Sequence, residues 1–488
     1  MRGGAMMYGS LRTNNRPSSS SSSLDPKGDR PAEDESGTVQ SAALSLANTI
    51  IGSGTLGLPG AFAGTGWGTG LLLLVAAAAM SANGLRLLAR ASDAAGLPGS
   101  FRSVGRRAVP GAEGLVDLAV AVKCFGVATG YLITISDSVV GALDYLLRTE
   151  DGDSGILANA LLTRRVWVLG AAVAVLPLSF HRTLDALKRA SALALVFVAA
   201  LVAVVLSFAF GTSDPCGGEA EGCRGSLEAT TDLHSTLASL PVFVFAFTCH
   251  QNVFPVVNEM RPPDKLGKTD RAVLVAVTLS LVVFGSVSLG GYSTFGSGTQ
   301  GDVLLNYPRT GSVTALRLCV AAMLVLHYPL QLDPSRRCVM SLVEATGKWW
   351  NDHRRGRSEV SGSGDDDGVV FEEYSEMAKS DLEVEHRRAA TTAKGADIMG
   401  GDDKLFRWIT ISFLILSVAL ALAVDDLGMV LALVGATGSA VVSYVLPGIV
   451  YLRICNGSSV LAWAQLVTGL WVMPVALYHV LGRIGAHS

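Results

Sequence analysis

The chain alternates between apolar runs long enough to cross a bilayer and short polar stretches that join them. A hydrocarbon core about 30 Å thick needs about twenty apolar residues in helical form. Read this way, the chain holds about eleven spans: Val39–Ala63, Gly66–Leu88, Val116–Leu147, Val166–Phe180, Ala190–Phe210, Leu233–Val257, Ala272–Phe295, Val313–Leu332, Leu405–Val424, Leu427–Leu452 and Val460–Leu481. The pattern predicts an all-α polytopic membrane protein.

Two of these runs are interrupted. In the first, Asn48–Pro59 reads NTIIGSGTLGLP, with Gly52, Gly54, Gly57 and Pro59 inside what should be a membrane helix. Glycine adds backbone entropy and proline removes a donor, so a helix unwinds most readily there. Unpaired backbone in a membrane is tolerated only where it lines a cavity or is buried in protein. The break is therefore a candidate binding site, and the alternative is a small-residue helix-packing face. The sixth span is interrupted at TCHQNVFP, ending at Pro255. Five spans separate the two breaks, the spacing of an inverted five-plus-five repeat with its site between two discontinuous helices. The eleventh span falls outside such a repeat.

Composition agrees with a membrane protein: half the residues are hydrophobic and only 16% are charged, against about a quarter in soluble domains. The formal net charge of -3 excludes a strongly basic nucleic-acid binder. Seven cysteines show no metal-ligand spacing, and no nucleophile–base pair stands out, so neither an enzyme nor a metal or cofactor is expected. Arg86, Arg90, Arg102, Arg106 and Arg107 follow the second span, and basic loops mark the cytosolic side, which puts the N-terminus in the cytosol. Residues 1–38 read as a disordered cytosolic tail, 39–481 as the transmembrane domain, and 336–403 as a disordered cytosolic insert. The loop Gly211–Thr230 counts to the other side, where Cys216 and Cys223 are permitted to form a disulfide.

Polar residues within the runs carry the candidate chemistry. Asn48 precedes the first break by about a turn; its amide suits a cation, a carboxylate or an interhelical hydrogen bond. Ser53 and Thr55 add hydroxyls. Phe247, Thr248 and His250 stand at the second break, and His250 either carries a coupled proton or stays neutral on a freed carbonyl. His327 lies well inside the eighth span and precedes Pro329. Lys123 and Asp137 share a face of the third span nearly four turns apart, and Lys123 is expected to snorkel to the interface.

At these residues a family resemblance is plain. SLANTIIGSGTLGLPGAFAGTGW resembles the first helix of the amino acid/auxin permease family, and FAFTCHQNVFPVVNEM the sixth helix of its sodium-coupled neutral amino-acid transporter branch. KCFGVATGYLITISD and YPLQLDPSRR are similar to the vacuolar amino-acid transporters of that wider group. The resemblance implies a LeuT-like fold and ion-coupled amino-acid transport by a monomer surrounded by lipid, in a vacuolar, lysosomal or plasma membrane, with no nucleic-acid partner. It implies substrate contacts at Asn48, Gly52, Ser53 and Gly54 and a Cys216–Cys223 bridge. The residues at the breaks add Thr49, Phe247 and Thr248 to the expected substrate site and put ion coupling at Asn48, His250 and His327. Gly54→Val is then expected to abolish transport with the protein intact. The sodium-coupled branch has threonines in the eighth helix where this chain has Val325 and His327. That departure favours H+ over Na+ as the coupling ion. The alternatives are a sodium-coupled symporter, or an amino-acid sensor of the same fold with little transport.

Overall fold

The first apolar run folds as two helices rather than one. In the computed structural model, α1 (Val39–Ile50) stops at Ile51 and α2 (Gly54–Thr65) begins again after the glycines. Pro59 lies inside α2 and does not mark the break. The described residues are 38–52, 54–96, 99–147, 161–180, 185–211, 215, 223–260, 262–359, 402–455, 457 and 459–487. Among them all regular structure is helical, as it must be where no water is at hand to satisfy backbone groups.

The remaining helices follow in order: α3 (Trp67–Ala95), the short α4 (Phe101–Ala108), α5 (Glu113–Leu146), α6 (Arg164–Ser179), α7 (Asp185–Phe210) and α8 (Leu233–Ala246). After a turn of 3-10 helix come α9 (Val253–Glu259), α10 (Lys265–Phe295), α11 (Gly311–Glu359) and α12 (Asp402–Ala423). Then α13 (Leu427–Val434) runs through two π-helical segments into α14 (Leu446–Ile454), and α15 (Val460–His487) ends the chain. Among the described residues, eight helical stretches are long and apolar enough to cross a membrane, with Ala194–Phe210 as a shorter apolar helix. The chain is a multi-pass membrane protein.

Local chemistry sets the helix ends. Ser100 and Ser103 form a reciprocal capping box on α4, Asp232 caps α8 through Ser235 N–H, and Gly96 closes α3 in the left-handed conformation. Outward-facing Leu72, Val173, Val282, Trp408, Ile415 and Tyr478 are exposed. Apolar side chains in such numbers suit hydrocarbon rather than water.

Two expectations change here. The insert was placed from Arg336, but α11 continues unbroken to Glu359, with Arg336 buried and paired with Asp333. Pro329 and Pro334 lie within that helix and do not end it. Lys123 does not snorkel: it is only 3% exposed and its Nζ lies 3.5 Å from Gln331 Oε1. The tail (residues 1–37) and residues 360–401 of the insert lie outside the described residues.

Candidate functional site

The two breaks face each other. The turn at the first is closed by Gly52 N–H to Ile50 O (2.9 Å) and Thr55 N–H to Gly52 O (3.0 Å), so α2 opens with its N-terminal amides beside the break. A helix N-terminus is the positive end of the macrodipole and suits a carboxylate. At the second break, α8 ends at Ala246, Thr248 N–H returns to Phe245 O, and α9 resumes at Val253. Asn252 Nδ2 donates to Thr49 Oγ1 at 2.7 Å, a direct tie between the two breaks.

Asn48, in the last turn of α1, sits with its Nδ2 3.5 Å from His327 Nε2 on α11. Thr248 Oγ1 donates to Val244 O (2.7 Å) and accepts from Ser443 Oγ (3.0 Å) in the second π segment. His250 is fully buried, and among the described residues neither ring nitrogen has a hydrogen-bond partner. Phe247 packs its ring edge-on against Phe284, 5.1 Å between centroids. The aromatic beside the first break is instead Phe245, whose ring a Cβ on Gly54 would approach to 3.7 Å. Ser53 and Cys216 lie outside the described residues, so neither the Ser53 hydroxyl nor the Cys216–Cys223 pairing is placed.

The glycines do different jobs. A Cβ on Gly54 would come within 3.0 Å of Ala246 Cα, so α2 and α8 touch backbone to side there. A side chain at Gly54 would therefore press on α8, which ties that glycine to packing as well as to the break. A Cβ on Gly52 would meet only Tyr131 Oη, at 3.3 Å. Tyr131, buried on α5, is therefore a side chain of the first break, and sequence reasoning missed it. Gln331, which reaches Tyr131 Oη with its Nε2 (3.4 Å), and Ser81, which donates to Phe247 O (2.7 Å), were missed as well. Only their polarity inside apolar runs signalled them.

Gly52 and Thr55 also line a narrow apolar cavity of about 10 Å³ with Phe197, Val320 and Leu324, room for about one water. The large cleft, about 370 Å³, lies elsewhere, between Asp137, Gln300, Gly301, Asp302, Asp425 and Asp426. Arg164 borders it, bonded to Asp137 Oδ1 (2.8 Å) and Asp425, and donating to Ala421 O and Val424 O. Burial pushes the Asp302 carboxyl up to about 7; the charge of Asp137 adds to this, while Leu304 N–H and Arg317 oppose it. The breaks, where backbone groups and polar side chains converge, are the better candidate for selective binding.

Residues 35–481 match the family model described as transmembrane amino acid transporter protein. The chain belongs to this family. The transmembrane amino acid transporter relatives include vacuolar amino acid transporter 6 of Saccharomyces cerevisiae, 30% identical over 84% of this chain and 89% of the relative. Vacuolar amino acid transporter 5 of Schizosaccharomyces pombe is 31% identical over 84% and 83%. A putative sodium-coupled neutral amino acid transporter 11 of Danio rerio is 24% identical over 91% and 86%. The family and these relatives are transporters and not enzymes, in line with the absence of any catalytic pattern in the sequence.

Proposed function

We propose that this chain is a secondary transporter moving amino acids across a vacuolar or lysosomal membrane by alternating access, coupled to protons. The observation that carries the reading is the pair of facing breaks, tied by Asn252 to Thr49 and held to α11 through Asn48 and His327. The substrate α-carboxylate meets the amides that open α2, and the α-ammonium meets the carbonyls released where α8 ends. With α1 and α2 taken as one span, the chain makes eleven spans in a LeuT-like inverted repeat plus one, with the N-terminus in the cytosol. The arginines late in α3 and after it, Arg86, Arg90, Arg102, Arg106 and Arg107, support that sidedness. The acidic cleft then faces the lumen or exterior, as does a Cys216–Cys223 bridge.

Proton coupling is favoured because the α11 face opposite Asn48 offers Val325 and an imidazole rather than the hydroxyls a dehydrated sodium ion needs. The names of the vacuolar relatives support the membrane. The test is uptake of radiolabelled leucine, glutamine and arginine into proteoliposomes holding the purified full chain. The expected result is accumulation driven by a pH gradient without sodium. Accumulation that needs sodium and ignores the pH gradient would refute the coupling. Binding without flux would make the protein a sensor.

A further inference from the structure

Among the described residues, Lys123 is the one buried lysine, and the proposed function leaves it without a role. It sits ten residues into the 34-residue α5, about 15 Å along that helix at 1.5 Å per residue, and is buried among its neighbours. A charge buried there is costly unless it is partnered or used. Among the described residues Lys123 has no carboxylate partner; its bond is to the neutral Gln331.

What surrounds Lys123 is the machinery of both breaks. It lies within electrostatic reach of Cys249 and His250, two of the residues at the second break. Gln331 Oε1 accepts from Lys123 Nζ at 3.5 Å, while Gln331 Nε2 donates to Tyr131 Oη at 3.4 Å. Tyr131 Oη in turn stands 3.3 Å from where a Cβ of Gly52 would lie, at the first break. The first π segment presses its backbone on the same residue, since a Cβ on Gly438 would come within 2.8 Å of Lys123 N and Cβ. Irregular π turns recur at functional sites. The other titratable group near the lysine is Cys124 on its own helix; Asp333 on α11 lies near Cys124 and is engaged by Arg336 and Arg337. Asp117, lower on α5, is bonded to Ser341. Neither histidine has such a route: His250 has no hydrogen-bond partner, and His327 meets Asn48 alone.

Resting on the proton-coupled reading, we propose that Lys123 is the coupling-proton site, its protonation reported to the first break through Gln331 and Tyr131. Nζ takes one proton from water when the site is open to the lumen, becoming an ammonium. It returns that proton to water when the site is open to the cytosol, leaving a neutral amine. The ammonium donates to Gln331 Oε1, which fixes the amide so that its Nε2 faces Tyr131. The neutral amine releases that orientation, and Tyr131 Oη shifts against Gly52. A lysine suits the task because a buried amine changes protonation readily, whereas a guanidinium does not.

Three proteoliposome measurements test this, with radiolabelled leucine, glutamine and arginine as probes: uptake driven by a pH gradient, exchange with the same amino acid on both sides at equal pH, and the pH dependence of KM for exchange. Lys123→Gln and Lys123→Arg are expected to lose pH-driven uptake at least tenfold, still to exchange, and to show a flat KM against pH. Gln331→Leu keeps the lysine and breaks the bridge; it is expected to weaken pH-driven uptake in the same direction. If the parent responds to the pH gradient and Lys123→Gln responds within twofold of it, the assignment to Lys123 fails while proton coupling stands. If exchange and driven uptake fall together in Lys123→Gln while Gln331→Leu behaves as the parent, the lysine is structural and the proposal is overturned. If the parent itself ignores the pH gradient, proton coupling fails and this proposal with it.

Discussion

Gly52 and Gly54 lie two residues apart in one motif, yet the structure assigns them different sensitivities. An added Cβ at Gly54 would stand 3.0 Å from Ala246 Cα and 3.2 Å from Ala246 Cβ. Carbon atoms settle at about 3.5–4.0 Å, so α2 and α8 must part by about half an ångström or more. Overpacking of that kind costs about 1–3 kcal/mol, and the two further methyls of valine add to it. Gly54→Val is therefore expected to lower stability by about 3 kcal/mol and to reduce the amount of folded protein. At Gly52 the only obstacle is the Tyr131 hydroxyl, the end of a side chain that can yield, and its φ is not in the left-handed region. Gly52→Ala should cost less than about 1 kcal/mol of stability. Its methyl group crowds the Tyr131 hydroxyl at the break from which α2 starts. Losing one charge-assisted hydrogen bond there, worth about 1.5 kcal/mol, raises KM about tenfold. The assay pairs thermal unfolding of the detergent-solubilised variants with KM for uptake in proteoliposomes. A Gly52→Ala protein with parental KM, or one destabilised as much as Gly54→Val, would refute the reasoning.

Asp302 gives a pH prediction with a definite sign. Its folded value of about 7 lies above the ordinary carboxylate value of 3.8, so the folded state prefers the protonated acid. Its ionisation opposes folding above about pH 7, and that penalty, up to roughly 4 kcal/mol, is relieved as pH falls from 7 towards 4. Asp302→Asn should match the parent's thermal stability near pH 4 and exceed it near pH 8; parallel profiles would count against this. Arg164→Gln leaves Asp137 buried without its cation and should destabilise the protein by roughly 3 kcal/mol, read by the same unfolding assay. Thr49→Val removes the acceptor of the 2.7 Å bond from Asn252 and should lower uptake about fivefold, near 1 kcal/mol, while the folded yield is kept. Cys216 and Cys223 should be found bridged by mass spectrometry of native membranes; two free thiols would contradict both the bridge and the sidedness.

The two broken helices were legible because backbone chemistry writes them directly: glycines at 52, 54 and 57, and the polar TCHQN, interrupt runs that are otherwise apolar. Pro59 misled as a marker, since proline is tolerated in the first turns of α2. The end of α11 was hidden for a related reason. Charge and polarity at Arg336 look like the end of a span, but a helix that leaves the membrane simply continues with polar residues to Glu359. Pairing across the core was the least legible part. Nothing in KCFGVATGY says that Lys123 reaches Gln331, 208 residues away, or that Tyr131 meets Gly52. Such contacts depend on which helix faces share the interior, and a single sequence does not state that. Phe247 looked like the ring beside the break by position, but the turn after Ala246 sends it to Phe284 and leaves Phe245 next to Gly54.

The central claim is that an amino acid binds between the two breaks, and an experimental structure of the full chain with bound leucine, glutamine or arginine tests it most directly. The account predicts the α-carboxylate at the start of α2 beside Gly52, within reach of Tyr131, and the α-ammonium against the carbonyls that follow Ala246. An amino acid held only in the acidic cleft of Asp137, Asp302 and Asp425, with the breaks empty, would contradict it.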